Sequence, residues 1–182
     1  MIRKNCPHNP SAFTLVEILV VVTILGIAAA VIVPQMSSRD DIRVEGARRM
    51  VMADLIYAQN RSIATQTKHY VVFDTTAGSQ KYTIKMGSGM VDIPHPITKD
   101  TSYVVKLGQK NTPLADISLG AVSFETFTTI AFDELGVPYS YDPATTNTTA
   151  LSTSGGSTIQ IKCGAYTLTV SIEPYTGEIK VN

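Results

Sequence analysis

The sequence predicts an α+β protein in which a long N-terminal helix packs on an antiparallel β-sheet or β-sandwich. Residues 13–33 are almost entirely apolar, and residues 35–68 keep a helical spacing of apolar side chains. From His69 onward, short runs of β-branched and aromatic residues alternate with polar ones and end at Gly, Pro, Asp, Asn or Ser, as strands do. About 150 residues follow the apolar segment, which is enough for one domain.

The apolar segment FTLVEILVVVTILGIAAAVIV, residues 13–33, is long enough to cross a membrane as a helix, because ~20 residues span ~30 Å of hydrocarbon. The residues before it include Arg3 and Lys4 but no acid. The positive-inside bias then places the N-terminus in the cytoplasm and everything after Pro34 outside it. A secretory signal peptide is disfavoured because the segment ends in VIVPQM, without an A-x-A cleavage pattern.

Glu17 is the one charged residue in this segment. A carboxylate costs ~2.5 kcal/mol or more at the bilayer centre and less toward the interface, so ionisable residues in membrane helices are functional candidates. A plain membrane anchor fits the length and the flanking charge but gives no reason for Glu17. This residue therefore requires a functional explanation.

The segment resembles the start of type IV pilins and type II secretion pseudopilins, in which a short basic leader and a small residue, here Ala12, precede a stretch like FTLVEILVVVTILGIAAAVIVPQM. The resemblance implies that a prepilin peptidase cleaves between Ala12 and Phe13 and methylates the new amine. It also implies that Glu17 pairs with the N-terminal amine of a neighbouring subunit, since a buried carboxylate is tolerable when a cation shares its site. Gly26 and Pro34 lie where pilin helices commonly carry them. Ala12 departs from the glycine that usually precedes the cut.

Residues 35–68 are predicted to form an amphipathic extension of the membrane helix. One face consists of residues spaced three or four apart: Ala47, Val51, Leu55, Ala58 and Ser62. Met50, Ala53 and Tyr57 are expected to flank that face, and the charged residues to be mostly solvated on other faces. Pro34 lacks a backbone donor and is expected to kink the join. Together the two segments would make a helix of about 53 residues, or ~80 Å.

Seven or eight strands are predicted between His69 and the end of the sequence. The stretches TTAGSQ, CGA at Cys163 and PYTGE are expected to be turns between neighbouring strands. Residues 91–101 and 141–156 are predicted to be surface loops without regular structure. Cys163 is alone after the leader, so it is predicted to be a small half-buried strand residue and not half of an internal disulfide.

The strand-rich half extends the resemblance toward the H-type minor pseudopilins and the related minor-pilin group. In that group a helical pattern like ADL..A...A is followed by V.F, then F...G.P, and a closing I.P.TG.I.V. The matching residues here are Ala53, Asp54, Leu55, Ala58, Ala64, Val72, Phe73, Phe132, Gly136, Pro138, Ile172, Pro174, Thr176, Gly177, Ile179 and Val181.

The sequence predicts no enzyme, no metal site and no cofactor. His69 opens a strand and His95 lies in a proline-rich loop, and there is no H-E-x-x-H pattern, cysteine pair or Gly-rich phosphate loop. Asp92 and His95 are too loosely spaced to indicate a metal site, and the adjacent Asp133 and Glu134 indicate a turn. The 15 basic and 15 acidic residues balance, and loss of the leader's two basic residues leaves a net charge of −2. A nucleic-acid-binding protein is expected to carry an excess of basic residues instead.

The resemblance implies a minor pseudopilin of a type II secretion pseudopilus, a filament that drives protein export across the outer membrane. Its implied partners are other major and minor pseudopilins, the prepilin peptidase, the inner-membrane assembly platform with its ATPase, and membrane lipid. The chain would be single-pass in the inner membrane with a periplasmic C-terminal domain, and then part of the pseudopilus. It would comprise a cleaved leader (1–12), a transmembrane helix (13–34), a helical extension (35–68) and a β-rich domain (69–182).

The alternative is a minor type IV pilin for pilus assembly or DNA uptake. DNA capture requires a basic surface, because phosphate neutralisation dominates affinity for nucleic acid. The last twenty residues contain one basic residue, Lys180, which argues against a nucleic-acid partner. A third interpretation, an abundant major pilin or adhesive fibre subunit, stays open from one sequence.

Overall fold

The computed structural model describes residues 13–36, 39–153 and 156–181. The chain divides into two compact units, Met1–Arg39 and Asp40–Asn182. The first contains helix α1 (Leu15–Met36), and the second contains helix α2 (Asp40–Thr65) together with the strands. The predicted kinked join and continuous helix depend on residues 37–38, which lie outside the described residues, as does the leader.

Eleven strands are present in the described part of the chain. In order they are β1 (His69–Asp74), β2 (Lys81–Met86), β3 (Val91–Asp92), β4 (Tyr103–Lys106), β5 (Ile117–Ser123), β6 (Thr129–Phe132), β7 (Pro138–Asp142), β8 (Asn147–Ala150), β9 (Thr158–Cys163), β10 (Tyr166–Ile172) and β11 (Ile179–Val181). All pairings are antiparallel, which confirms the predicted α+β class with antiparallel sheets.

The strands form two sheets. The larger has the order β3-β2-β1-β6-β7-β8, with β4 also paired to β2, and the smaller has the order β11-β10-β9-β5. The three predicted turns join neighbouring strands: β1 to β2, β9 to β10, and β10 to β11. Gly177 in the last turn has φ 68°, a left-handed conformation that glycine adopts without steric cost.

One hydrophobic core joins α2 to both sheets. The predicted face of α2 is buried, and Val44, three residues before Ala47, also belongs to it. From the larger sheet the core receives Val71, Phe73, Tyr82, Ile84, Ile130 and Phe132, and from the smaller one Ile159, Ile161, Cys163, Val170 and Ile172. A second, small cluster of Tyr70, Ala131 and Tyr141 lies apart from this core.

The predicted flanks of the α2 face are partly wrong. Tyr57 packs against the core as expected, but Ala53 and Met50 are exposed. Asp54 is an exception to the predicted solvation of the helix charges, because it is half-buried beneath two tyrosines of the larger sheet.

The predicted loops at 91–101 and 141–156 contain strands, so that prediction is wrong in part. Val91–Asp92 pairs with β2 before Pro94 ends the strand. The second stretch contains the end of β7 and all of β8, joined by a turn in which the Asp142 carboxylate accepts bonds from the Ala144 N–H at 2.9 Å and the Thr145 hydroxyl at 2.6 Å. Cys163 is a strand residue as predicted but is fully buried, because it lies in the core beneath α2.

Candidate functional site

The N-terminal end of α1 is built by a capping interaction at Thr14. The Glu17 N–H donates to the Thr14 hydroxyl oxygen at 3.2 Å, and the Ile18 N–H donates to the Thr14 carbonyl at 3.3 Å. Thr14 is therefore the N-cap and Glu17 is the third helical residue, the arrangement of a T-x-x-E capping sequence. This places the Glu17 carboxylate in the first turn, where the helix dipole favours negative charge.

Within the range 13–32, Glu17 differs from the other polar residues because its side chain has no hydrogen-bond partner. The Thr23 hydroxyl donates to the backbone carbonyls of Leu19 at 2.5 Å and Val20 at 3.1 Å, so its polar group is satisfied within the helix. Thr14 is used by the cap. Among the described residues of α1, the carboxylate of Glu17 is thus the group that needs a partner from outside the chain.

Apart from Glu17 and Thr23, the side chains of Leu15–Ile32 are apolar or small. Leu15–Ile32 is long and apolar enough to cross a membrane. Gly26 leaves open space on this surface, since nothing lies within 4 Å of where a Cβ would be. A helix that is hydrophobic on every side requires lipid or other helices around it.

The predicted site residues are placed as follows. Phe13 immediately precedes the cap and its side chain is 74% exposed, and Glu17 lies four residues further along, one turn into the helix. Pro34 lies within α1, whose backbone continues to Met36. Ala12, the other side of the expected cleavage, lies outside the described residues.

Residues 8–33 match the family model for the prokaryotic N-terminal methylation motif. The match spans the predicted leader end, the cleavage position, Glu17 and the apolar helix. It supports a type IV pilin-like protein with a prepilin signal and a single-pass membrane anchor. Such a motif implies processing by the prepilin peptidase and assembly with other pilin-like subunits, and it points to a structural family and not to an enzyme.

Neither the curated proteins nor the solved structures compared with the chain give a match. The assignment therefore depends on the N-terminal motif together with the α+β architecture.

Asp54 forms a structural contact within the second unit, Asp40–Asn182. The Asp54 carboxylate accepts hydrogen bonds from Tyr82 Oη at 2.5 Å and Tyr103 Oη at 2.7 Å. Burial raises the pKa of Asp54, and the two tyrosine hydroxyls oppose that shift. Burial and the neighbouring Asp54 raise the pKa of both tyrosines, so they stay protonated donors. These bonds tie α2 to β2 and β4.

His69 and His95 also make local contacts. His69 is buried with Nδ1 2.8 Å from the Thr67 carbonyl, and burial lowers its pKa. His95 Nδ1 accepts from the N–H groups of Ile97 and Thr98, and its ring lies 4.2 Å from that of Tyr103. Within the described ranges, no three His, Cys, Asp or Glu side chains converge as metal ligands would.

Sequence reasoning missed three residues that shape these sites. Thr14 carries the T-x-x-E signal that identifies an N-cap, and this signal is readable from sequence. Asp54 is in the helical pattern of the resemblance but was assigned to a solvated face. Gln59 donates from Nε2 to the carbonyls of Gly136 at 2.9 Å and Thr176 at 3.3 Å, contacts that no local pattern indicates.

Proposed function

We propose that this protein is a minor pseudopilin, of the H-type, in a type II secretion pseudopilus that drives protein export across the outer membrane. The observation that most supports this proposal is the unpartnered Glu17 carboxylate, which lies one turn after Phe13 on an apolar helix that matches the methylation motif. The H-type assignment is supported by the patterns from Ala53 to Val181 described above. The β-rich unit would lie in the periplasm.

Glu17 would set the position of the subunit along the filament. Cleavage before Phe13 creates a new amine, and the Glu17 carboxylate of a neighbouring subunit would pair with that amine within the membrane. An unpaired buried charge costs ~3 to 5 kcal/mol, so the pair favours one axial alignment over the alternatives.

Lateral packing of the membrane helices would supply the remaining stabilisation. The proposed contacts are Val20, Val21, Ile24, Ile27, Ala28 and Val31, most of which are exposed on the isolated helix. Gly26 would allow close approach of a neighbouring helix, because small residues let helix backbones meet in membranes. Pro34 would end this packed segment.

A minor type IV pilin for pilus assembly or DNA uptake is the alternative function. The C-terminal region gives DNA little to bind, since Lys180 is already engaged by Glu173 at 2.8 Å and Glu178 at 3.5 Å. A free basic surface would be needed for phosphate contacts. We therefore favour protein export.

The test is assembly of a Glu17→Ala variant in cells that contain the prepilin peptidase and the assembly platform. We expect normal cleavage but loss of the protein from the sheared filament fraction, measured by sedimentation and immunoblotting. Thr23→Ala is the matched control, because its hydroxyl bonds only to its own helix, and it should assemble. Wild-type assembly by Glu17→Ala would contradict the proposed pairing.

A further inference from the structure

His95 organises a short turn between β3 and β4. Its ring nitrogen Nδ1 accepts hydrogen bonds from the N–H groups of Ile97 at 3.2 Å and Thr98 at 3.3 Å. The backbone closes the base of the same turn, because the His95 N–H donates to the Asp100 carbonyl at 3.0 Å and the Lys99 N–H donates to the His95 carbonyl at 3.0 Å. One imidazole ring therefore satisfies both N–H groups at the tip of the turn.

These two side-chain bonds require one protonation state of the ring. A neutral imidazole has one N–H and one acceptor nitrogen, whereas the charged imidazolium has an N–H on both nitrogens and accepts nothing. Because Nδ1 is the acceptor, neutral His95 carries its proton on Nε2. Protonation places an N–H on Nδ1, where it faces the N–H groups of Ile97 and Thr98. Both hydrogen bonds are then lost.

The tip of the turn has little else to hold it in place. Ile97 is 83% exposed, so its side chain has few packing contacts to lose. Pro94 and Pro96 flank His95 and have no N–H with which to form a replacement bond. Lys99 has φ 62°, a left-handed conformation that is unfavourable for a residue with a long side chain. Loss of the two bonds to His95 should therefore release the tip.

The ring of His95, by contrast, is fixed to the domain. It lies 4.2 Å from the ring of Tyr103, the first residue of β4. The Tyr103 hydroxyl donates to the Asp54 carboxylate of α2 at 2.7 Å, and its ring lies 5.5 Å from that of Tyr57, also in α2. The acceptor is thus held by the sheet and the helix, while the two donors belong to the exposed tip.

The charged groups around His95 come from α2, from β3 and from the turn itself. Burial raises the pKa of Asp54, and the tyrosine hydroxyls and the charge of His95 oppose that shift. Asp92 of β3 is paired with a lysine of β2 at 3.1 Å. In the turn, the Asp100 carboxylate accepts from a threonine hydroxyl at 2.6 Å, and Lys99 is the neighbouring cation. Among these side-chain types, histidine is the one that ordinarily changes charge between about pH 5 and 8.

We propose that His95 is a pH-dependent switch in the turn at residues 94–100. In neutral medium the uncharged ring holds the tip closed and fixes the position of Ile97. In mildly acidic medium the imidazolium releases the N–H groups of Ile97 and Thr98, so the tip opens while the backbone bonds at its base remain. The surface around Ile97 then differs between the two conditions. This inference goes beyond the proposed function and does not depend on it.

A pH titration of the full chain in detergent micelles, followed by NMR, tests the proposal. Between about pH 8 and about pH 5 the amide proton signals of Ile97 and Thr98 should move upfield, because they lose their acceptor. Their midpoint should equal that of the His95 imidazole signals. The Lys99 amide, whose acceptor is a backbone carbonyl, should move much less. Unchanged Ile97 and Thr98 signals, or a His95 ring that stays neutral over this interval, would overturn the proposal.

His95→Asn is the matched variant. An asparagine Oδ1 accepts hydrogen bonds from backbone N–H groups a few residues further on, as in an Asx turn, and it does not titrate. The tip should therefore stay closed, and the Ile97 and Thr98 signals should show no upfield movement as the pH falls. The same movement in the variant as in the wild type would show that His95 is not the switch. If the variant fails to fold, the titration of the wild type still decides.

Asp54→Asn separates the His95 ring from the carboxylate to which it is coupled through Tyr103. The asparagine oxygen can still accept from a tyrosine hydroxyl, but the side chain has no charge to titrate. The upfield movement of the Ile97 and Thr98 signals should persist in this variant. Its disappearance would assign the pH response to Asp54 and would contradict a switch at His95.

Discussion

At the residue scale, Gln59 connects parts of the chain that are far apart in sequence. Its side-chain amide donates to carbonyls in the turn after β6 and in the turn between β10 and β11. In both turns the glycine has positive φ and lies against α2, with a Cβ on Gly177 placed 2.4 Å from Gln59 Nε2. One side chain thus fixes two turns on the same helix.

Replacement of Gln59 by alanine should destabilise the protein by about 1–2 kcal/mol, because the part-buried carbonyl of Gly136 and the exposed carbonyl of Thr176 lose their donor. The free energy of unfolding, measured by chemical denaturation, checks this. Asn60→Ala is the matched control, since Asn60 is the exposed neighbour, and it should change stability by less than about 0.5 kcal/mol. Equal losses in the two variants would show that the Gln59 contacts are not stabilising.

Some individual residues were predictable and others were not. PYTGE was expected to be a turn between two strands, and it joins β10 to β11, with Gly177 at φ 68°. Cys163 was correctly assigned to a strand, but its full burial depends on the smaller sheet lying beneath α2, which alternation in one strand does not specify. Gln59 was missed because its partners are 77 and 117 residues away along the chain.

At the element scale, α2 shows where helical periodicity succeeds and where it fails. The spacing from Ala47 to Ser62 identified the buried face correctly. It did not predict that Asp54 would be tied to β2 and β4, since a charged residue beside the apolar face is ordinarily solvated. Asp54 can be buried because its carboxylate accepts hydrogen bonds from the hydroxyls of Tyr82 and Tyr103.

The contribution of Asp54 to stability should depend on pH. Its pKa is raised in the folded protein by burial, so the folded state holds the proton to a higher pH than the unfolded state does. Stability should therefore fall as pH rises through the interval between the two pKa values. The free energy of unfolding of the wild type, relative to Asp54→Asn, should be lower at about pH 7 than at about pH 4.

Asp100→Asn, which removes the charge of an exposed aspartate, is the control for general charge effects. If the free energy of unfolding of the wild type, relative to Asp54→Asn, rises toward neutral pH, the predicted sign is wrong. Chemical denaturation at several pH values distinguishes the two results.

The strands show a second limit of sequence patterns. Runs rich in Val, Ile, Tyr and Phe identified β1, β2, β9 and β10, because their alternating side chains enter the core. The sequence NTTA of β8 was missed since all four residues are exposed and resemble a loop in composition. In β5, Gly120 interrupts the alternation of side chains at the position where the register with β9 shifts.

At the scale of the whole molecule, the two compact units differ in composition and packing. α1 is apolar apart from a few polar residues such as Glu17, and most of it lies within the match to the methylation motif, whereas α2 and the sheets enclose a core of their own. The sequence predicted the apolar helix of the first unit, because an apolar span and its motif are continuous in the chain. The sequence did not predict which strands distant from each other in the chain would pair.

Processing of the chain as a prepilin is tested most directly by mass spectrometry of the intact protein. The full chain would be expressed with and without its prepilin peptidase and purified from the membrane fraction. With the peptidase, we predict a mature protein that begins at methylated Phe13. A chain that still begins at Met1 or Ile2 in the presence of active peptidase would contradict this account.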